Sequence, residues 1–246
     1  GGGSPSSNTV EAWYEMVEGY QEEVLKTRLA IPIIYGVDAV HGHGNLLNAT
    51  IFPHNIGLGA TNNPELVEKI GRATAEEILA TGIHWNFSPV VAVVQDVRWG
   101  RTYEGFGEDT ELVTTLGTAY VEGMQTLEEG DSVSPSQTIF SLATPKHYLG
   151  DGGTIWGSSR QNIMNTKYML DQGNMQIPVE VIRKLYLPPY ASAVDAGALS
   201  VMASFSSWKG TKMHAQQYLL TDVLKDELGF NGFIVSDWQG MDQIYP

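Results

Sequence analysis

The feature that most constrains the fold is a repeated order in which a short apolar segment is followed by a polar loop and then by an amphipathic helix. Apolar segments typical of strands lie at residues 31–37, 83–87, 139–143, 199–203 and 233–235, and the first and last are expected to be buried strands. Residues 128–137 are expected to form a polar connection. Helical spacing of apolar residues predicts helices over residues 9–28, 63–81, 110–127, 178–196 and 215–228. Strands that alternate with helices are usually parallel and joined by right-handed crossovers. The sequence therefore predicts an α/β fold.

The polar and aromatic residues collect after the predicted strands rather than before them. A (β/α) barrel places its active site at the carboxyl ends of its strands, so this distribution favours a TIM-like barrel. Five strands do not close an eight-stranded barrel. Either further strands lie in the regions that look like loops, or residues 1–246 form an incomplete barrel, as a fragment that begins after the first unit and ends before the last ones. We favour the fragment.

The composition argues against several classes of function. The net charge of −14 would repel a phosphate backbone, so we expect no nucleic-acid partner. The chain has no cysteine, which removes disulfides, thiolate metal sites and a cysteine nucleophile. No apolar run approaches the ~20 residues that cross a bilayer, so no membrane span is expected. Residues 1–7 lack the basic and apolar regions of a signal peptide.

The segment at residues 229–238 points to the chemistry. The predicted strand around Val235 ends on Ser236, Asp237 and Trp238, which bring a hydroxyl, a carboxylate and a large aromatic face together. Ligands of α/β folds bind at such strand ends, and a carboxylate beside an aromatic platform suits a sugar. The alternative is that Asp237 only caps the loop that follows.

Other charged residues also follow predicted strands. They are Asp38, Arg101, Lys146 and His147. The chain shows neither the nucleophile spacing of a serine hydrolase nor a glycine-rich phosphate loop. Charged hydrogen-bonding partners and tryptophans around a cleft suit a neutral ligand rich in hydroxyl groups. We therefore predict a carbohydrate ligand and neither a metal nor a cofactor.

Five ordered motifs carry a specific resemblance. They are YGVDAVHG at residues 35–42, TIFPHN at 50–55, DVRWGR at 96–101, KHYLGD at 146–151 and GFIVSDW at 232–238. Their order and spacing resemble the barrel domain of glycoside hydrolase family three, over residues 30–155 and 185–243. The resemblance implies a retaining β-glucosidase or exo-β-glucanase that acts on β-glucosides or β-glucan oligosaccharides, with Asp237 as the nucleophile. It also implies that the terminal sugar is bound by Asp38, Arg101, Lys146, His147, Phe205 and Trp238.

A retaining enzyme also needs a second carboxyl group about 5 Å from the nucleophile as acid and base. In the β-glucosidase branch of the resembled family this group is a glutamate of a following α/β sandwich domain, which residues 1–246 do not contain. The branch that uses a His-Asp dyad has a different motif where this chain has residues 149–151. The resemblance therefore implies that the same or another chain supplies the remaining strands and the C-terminal domain. It also implies a periplasmic or extracellular location.

Residues 157–167 look like an insertion relative to the resembled family, and residues 171–174 (DQGN) match its pattern again. Two other functions stay open at this point. One is a non-catalytic relative that binds a glycan or serves as a structural subunit. The other is a metal-dependent barrel hydrolase, which requires His41 and His43 to converge with Asp237.

Overall fold

The computed structural model describes residues 3–131, 138–159, 162–163 and 166–244. The α-helices are α1 (Val10–Leu25), α2 (Asn55–Thr61), α3 (Pro64–Ala80), α4 (Thr110–Gln125), α5 (Val179–Val181) and α6 (Pro188–Asp195), and π-helical turns span Ile182–Tyr186 and Tyr218–Glu227. Short 3₁₀ turns span Thr102–Glu104, Met213–Ala215 and Met241–Gln243. The strands are β1 (Gly36–Val37), β2 (Trp85–Asn86), β3 (Asn162–Ile163), β4 (Thr166–Lys167), β5 (Asn174–Met175), β6 (Ser200–Ala203), β7 (Ser207–Trp208), β8 (Thr211–Lys212) and β9 (Phe233–Ser236).

Parallel pairing links five segments in chain order. Strand β1 pairs with β2, and isolated bridges join Trp85 to Leu142, Val90 to Lys146 and Tyr148 to Ala203. Strand β6 then pairs in parallel with β9 over four residues. A smaller sheet of β5, β7 and β8 and a hairpin of β3 and β4 complete the described strands. The fold is thus a mixture of helices and small sheets whose successive segments run side by side in the same direction.

Local sequence signals explain the long helices. The Asn63 side chain accepts a hydrogen bond from the backbone of Leu66 at the start of α3, and Pro64 fills the first helical position. The Asp109 side chain caps α4 in the same way. Helices α3 and α4 approach closely at Gly123, where the absence of a side chain permits the contact. A Cβ atom there would lie 2.0 Å from the carbonyl oxygen of Glu68. The predicted helices over residues 63–81 and 110–127 are confirmed.

The predicted buried strand over residues 31–37 is wrong for most of its length, since β1 is only Gly36–Val37. Ile31 and Ile34 are exposed. The reason lies in α1, where the Gln21 side chain accepts a hydrogen bond from the Ile33 N–H and donates one to its carbonyl oxygen. The backbone groups of Ile33 are therefore used by a helix and do not pair in a sheet.

Two other strand predictions need correction. Residues 139–143 form no strand but meet β2 through the bridge at Leu142. Strand β9 was expected to be buried, yet Phe233 is exposed and the rest of the strand is half-buried. In the described part of the chain β9 pairs only with β6, so its other edge is not covered. Helix α2 was not predicted.

The predicted helix over residues 178–196 is found as three consecutive helical pieces, namely α5, the π-helical turn Ile182–Tyr186 and α6. Pro188 lies in the first turn of α6, where a proline lacks no needed hydrogen bond. Parts of two predicted features, the polar connection at 128–137 and the insertion at 157–167, lie outside the described residues. None of the described helices is both long and apolar enough to cross a lipid bilayer.

Candidate active site

A cleft of about 510 Å³ lies at the carboxyl ends of the parallel segments. The structure brings all seven predicted site residues to its wall, namely Asp38, Arg101, Lys146, His147, Phe205, Asp237 and Trp238. Asp38 follows β1 directly and Asp237 follows β9 directly. Parallel strands end on the same side of a sheet, which explains why residues about 200 positions apart meet. A volume of this size is typical of a pocket for a small ligand.

The first polar group of the cleft is the ion pair between Lys146 and Asp38. The Lys146 Nζ atom donates a hydrogen bond to Asp38 Oδ1 at 2.6 Å. The lysine side chain is only 4% exposed, whereas that of Asp38 is 63% exposed. A buried ammonium group needs a partner charge, and Asp38 supplies it while its carboxylate stays open to the cleft.

The carboxylate of Asp237 has two different oxygen environments. Its Oδ1 accepts a hydrogen bond from the backbone N–H of Trp238 at 2.6 Å, and its Oδ2 lies 3.7 Å from His147 Nε2. The backbone N–H of Asp237 donates to His214 Nε2 at 3.3 Å, so this nitrogen of His214 carries no proton. Burial lowers the pKa of His214, which favours that neutral form. The main chain thus fixes Asp237 while one carboxylate oxygen is left toward the cleft.

Arg101 is held by a carboxylate that the sequence did not single out. Its Nε and Nη2 atoms donate to the two oxygens of Glu104, both at 2.8 Å, and Nη2 also contacts His147 Nε2 at 3.2 Å. Burial would lower the pKa of Arg101, but the Glu104 carboxylate outweighs this effect and raises it. The signal in the sequence was the three-residue spacing of Arg101 and Glu104 in one turn.

Beneath His147 lies a second group of residues that the prediction missed. The Asp151 Oδ2 atom lies 2.8 Å from His147 Nδ1. The hydroxyls of Ser204 and Ser206 donate to Asp151 Oδ1 at 2.5 and 2.9 Å. Burial alone would raise the pKa of Asp151, but His147 and then Arg101 lower it below the ordinary value. Asp151 is therefore a buried, ionised carboxylate.

Asp171 connects the Arg101 loop to the loop after Asp151. Its Oδ1 accepts a hydrogen bond from Trp99 Nε1 at 2.7 Å. Burial and then the charge of Asp151 raise the pKa of Asp171. The pKa values of Asp151 and Asp171 are thus shifted in opposite directions, because His147 and Arg101 lower that of Asp151 while burial and the Asp151 charge raise that of Asp171.

The two histidines considered for a metal site are used elsewhere. His43 is buried, with its Nε2 atom 3.2 Å from the Thr81 hydroxyl and its ring against Trp13. His41 contacts the carbonyl oxygen of Phe52 through Nδ1. Over the described ranges, no group of three side chains suited to binding a metal ion occurs. The convergence required by a metal-dependent hydrolase is therefore not found there.

Aromatic side chains border the polar part of the cleft. Trp238 is 79% exposed, and Phe205 is half-buried beside it in the cleft wall. An exposed indole offers a flat apolar face, against which the C–H face of a sugar ring packs well. The cleft thus combines charged hydrogen-bonding groups with an aromatic border.

Known proteins resemble this chain over most of its length. The chain is 35% identical over 237 residues to a lysosomal beta glucosidase of Dictyostelium discoideum, covering 94% of this chain and 27% of that protein. It is 34% identical over 219 residues to a periplasmic beta-glucosidase of Salmonella typhimurium, covering 88% of this chain and 26% of that protein. The chain therefore spans about a quarter of the length of these curated relatives.

Solved structures are similar over nearly the whole chain. An exo-1,3/1,4-beta-glucanase from a Pseudoalteromonas species is 42% identical with a TM-score of 0.81, covering 95% of this chain and 28% of that one. A beta-glucosidase from Listeria innocua in complex with glucose is 30% identical with a TM-score of 0.77, covering 96% of this chain and 29% of that one. The sequence model of the glycosyl hydrolase family 3 N terminal domain matches residues 2–245. The resemblance found in the five motifs is confirmed, and the chain belongs to glycosyl hydrolase family 3.

Proposed function

We propose that this chain carries the nucleophile of a retaining β-glucosidase or exo-β-glucanase, which hydrolyses terminal non-reducing β-D-glucosyl residues of β-glucosides or β-glucans. The observation that carries this proposal is the environment of Asp237. Its carboxylate ends a parallel strand, is fixed by the Trp238 N–H, and has one oxygen directed into a cleft lined by Arg101, Lys146 and His147. The relatives named above share the activity in their printed names.

The reaction proceeds in two displacements. An oxygen of Asp237 attacks the anomeric carbon while the bond from that carbon to the glycosidic oxygen breaks, and the departing oxygen takes a proton from a general acid. A water molecule, deprotonated by the same group acting as a base, then attacks the anomeric carbon and releases Asp237. Each displacement inverts the anomeric carbon, so the product is initially β-glucose.

The remaining cleft residues hold the sugar. Asp38 accepts hydrogen bonds from sugar hydroxyls and keeps Lys146 in place. Lys146 and Arg101 donate to hydroxyl oxygens, and the His147 ring lines the cleft beside them, with Nε2 as its nitrogen nearest Asp237. Trp238 and Phe205 cover the apolar edges of the ring.

The acid/base, we propose, comes from outside the described cleft. Besides Asp237, the carboxyl groups that line its described wall are Asp38 and Glu104. Asp38 is paired with Lys146 and Glu104 with Arg101, so both carboxylates are already engaged by cations of the cleft wall. This supports an acid/base from an α/β sandwich domain of the same or another chain.

The rest of the proposal concerns architecture and location. The five parallel segments form one side of a (β/α) barrel whose other strands would cover the open edge of β9. We place the protein in the periplasm or outside the cell, which two relatives named as periplasmic support.

The experiment that tests this function follows the anomeric configuration of the product. Hydrolysis of an aryl β-glucoside by the protein, supplied with the proposed acid/base domain if needed, is monitored by proton NMR from the first minutes. We expect β-glucose to appear first and the α-anomer to follow by mutarotation. Initial release of α-glucose would exclude the double displacement, and no release at all would favour a glycan-binding relative.

A further inference from the structure

We propose that Asp151 is a positioning residue that sets the tautomer of His147 and thereby the chemical character of the ring nitrogen nearest Asp237. Three contacts define the arrangement. Asp151 Oδ2 lies 2.8 Å from His147 Nδ1, while His147 Nε2 lies 3.2 Å from Arg101 Nη2 and 3.7 Å from Asp237 Oδ2. The inference deepens the proposed function and rests on it for the catalytic consequence, although the tautomer itself is measured without activity.

The contact with Arg101 indicates which nitrogen of His147 carries the proton in the unaltered protein. A guanidinium group has only donors, so Arg101 Nη2 donates its N–H to a lone pair on His147 Nε2. The proton of the neutral imidazole is then on Nδ1, which lies 2.8 Å from Oδ2 of Asp151. Nε2 consequently carries no N–H toward Asp237, and its one lone pair accepts from Arg101.

Two serine hydroxyls occupy one oxygen of the Asp151 carboxylate and leave the other oxygen for His147. The Ser204 Oγ atom accepts the Ser206 N–H at 2.8 Å, so its own hydrogen is directed to Asp151 Oδ1 at 2.5 Å. The Ser206 hydroxyl donates to the same oxygen at 2.9 Å. With Oδ1 occupied by two donors, Oδ2 is left for His147. All four side chains are buried, so water does not replace these contacts readily.

This arrangement of hydrogen bonds predicts the effect of the Asp151→Asn substitution. The two serine hydroxyls still need an acceptor, so the asparagine carbonyl oxygen turns to them and its NH₂ group faces His147 Nδ1. Nδ1 then becomes the acceptor and the ring proton moves to Nε2. The new Nε2–H would face the N–H donor of Arg101, which is unfavourable, and would point at Oδ2 of Asp237. It would then donate a hydrogen bond to the proposed nucleophile. An exchange of this kind at a triad aspartate disables a catalytic histidine.

The test combines a spectroscopic readout with kinetics on the full chain. Side-chain ¹⁵N NMR of histidine-labelled protein at pH 8 distinguishes protonated from unprotonated ring nitrogens, and His147→Gln assigns the signals. We expect Nδ1–H in the unaltered protein and Nε2–H in Asp151→Asn. We also expect kcat/KM for an aryl β-glucoside to fall about 10–100-fold, as happens when the carboxylate partner of a functional histidine is lost.

Asp131→Asn is the matched control, because the Asp131 carboxylate is as little exposed as that of Asp151 but is paired with Arg72 outside the cleft. It should leave the His147 spectrum and kcat/KM unchanged. Retention of Nδ1–H in Asp151→Asn would overturn the proposal. If that variant does not fold, the unaltered protein still decides, since Nε2–H there contradicts the assignment. If the tautomer of His147 inverts in Asp151→Asn but the unaltered protein cleaves no β-glucoside, the positioning role is upheld and the proposed function is refuted.

Discussion

Lys146 and Asp38 lie 108 positions apart in the chain, yet the Nζ atom of one is 2.6 Å from a carboxylate oxygen of the other. The pair joins the ends of the first and third parallel segments at the floor of the cleft. Because the lysine is buried and the carboxylate is exposed, Asp38 can neutralise the charge of Lys146 and also accept hydrogen bonds from a ligand in the cleft. Its removal should therefore affect binding more than the loss of one surface charge would.

Asp38→Ala should weaken the binding of a glucose-like inhibitor. A hydrogen bond to a charged group contributes about 1.5–3 kcal/mol, which corresponds to a roughly ten- to hundredfold increase in Kd. The measurement is isothermal titration calorimetry at a temperature at which the variant is folded. Asp96→Ala is the control, since Asp96 is also paired with a cationic side chain, that of Arg98, but does not line the cleft. An unchanged Kd for Asp38→Ala would place Asp38 away from the sugar.

The cleavage rate of residues 1–246 alone should depend steeply on the leaving group. The described carboxylates beside Asp237 are paired with cations, so a poor leaving group lacks proton donation worth about 10²–10⁴-fold. A dinitrophenyl β-glucoside, which needs no protonation, should still be cleaved, whereas an alkyl β-glucoside should hardly react. Equal kcat/KM values for the two substrates would show that this chain contains its own acid.

Asp171→Asn should stabilise the protein at neutral pH. Burial and the Asp151 charge raise the pKa of Asp171, so its ionised form costs folding free energy above that pKa, while an asparagine still accepts from Trp99. Stability from a raised carboxyl pKa is present below the unfolded value of about 3.9 and is lost as pH rises through the folded value. The gain in Tm should therefore shrink as the pH falls toward about 4. A gain that does not vary with pH would contradict this origin.

Alanine substitutions at two helical glycines should change the stability in opposite directions. Gly19→Ala in α1 meets no atom within 4 Å and should stabilise the protein by about 0.5–1 kcal/mol through helix propensity. Gly123→Ala places a Cβ atom 2.0 Å from the Glu68 carbonyl oxygen and should cost about 1–3 kcal/mol by separating α3 from α4. Urea unfolding of the two variants checks both. A tolerated Gly123→Ala would mean that the two helices are less tightly packed than described.

The sequence predicted the long helices because their caps and periodicity are local signals, as at Asn63 and Asp109. It also predicted most of the named residues that line the cleft, because they follow apolar segments and parallel segments end on one side, whereas Phe205 was implied only by the family resemblance. The strand over residues 31–37 was misjudged since an apolar run does not reveal that the Gln21 side chain binds the Ile33 backbone.

The support beneath the site could not be predicted from local patterns. Ser204 and Ser206 contact Asp151 across more than 50 positions, and Asp171 contacts Trp99 across 72. Such contacts depend on how distant loops pack, and serine or aspartate in a loop is common for many local reasons. The pairing of Glu104 with Arg101 was easier to predict, because the two residues lie three positions apart in the same turn.

Covalent trapping tests the central assignment of Asp237 most directly. A 2-deoxy-2-fluoro-β-glucosyl fluoride has a good leaving group and slows both displacements, so the glycosyl-enzyme accumulates without strong acid assistance. Peptide mass mapping should then find one fluoroglucosyl group, attached to Asp237, and Asp237→Asn should remain unlabelled while it still binds a glucose-like inhibitor. A label on any other residue, or undiminished labelling of Asp237→Asn, would contradict the account.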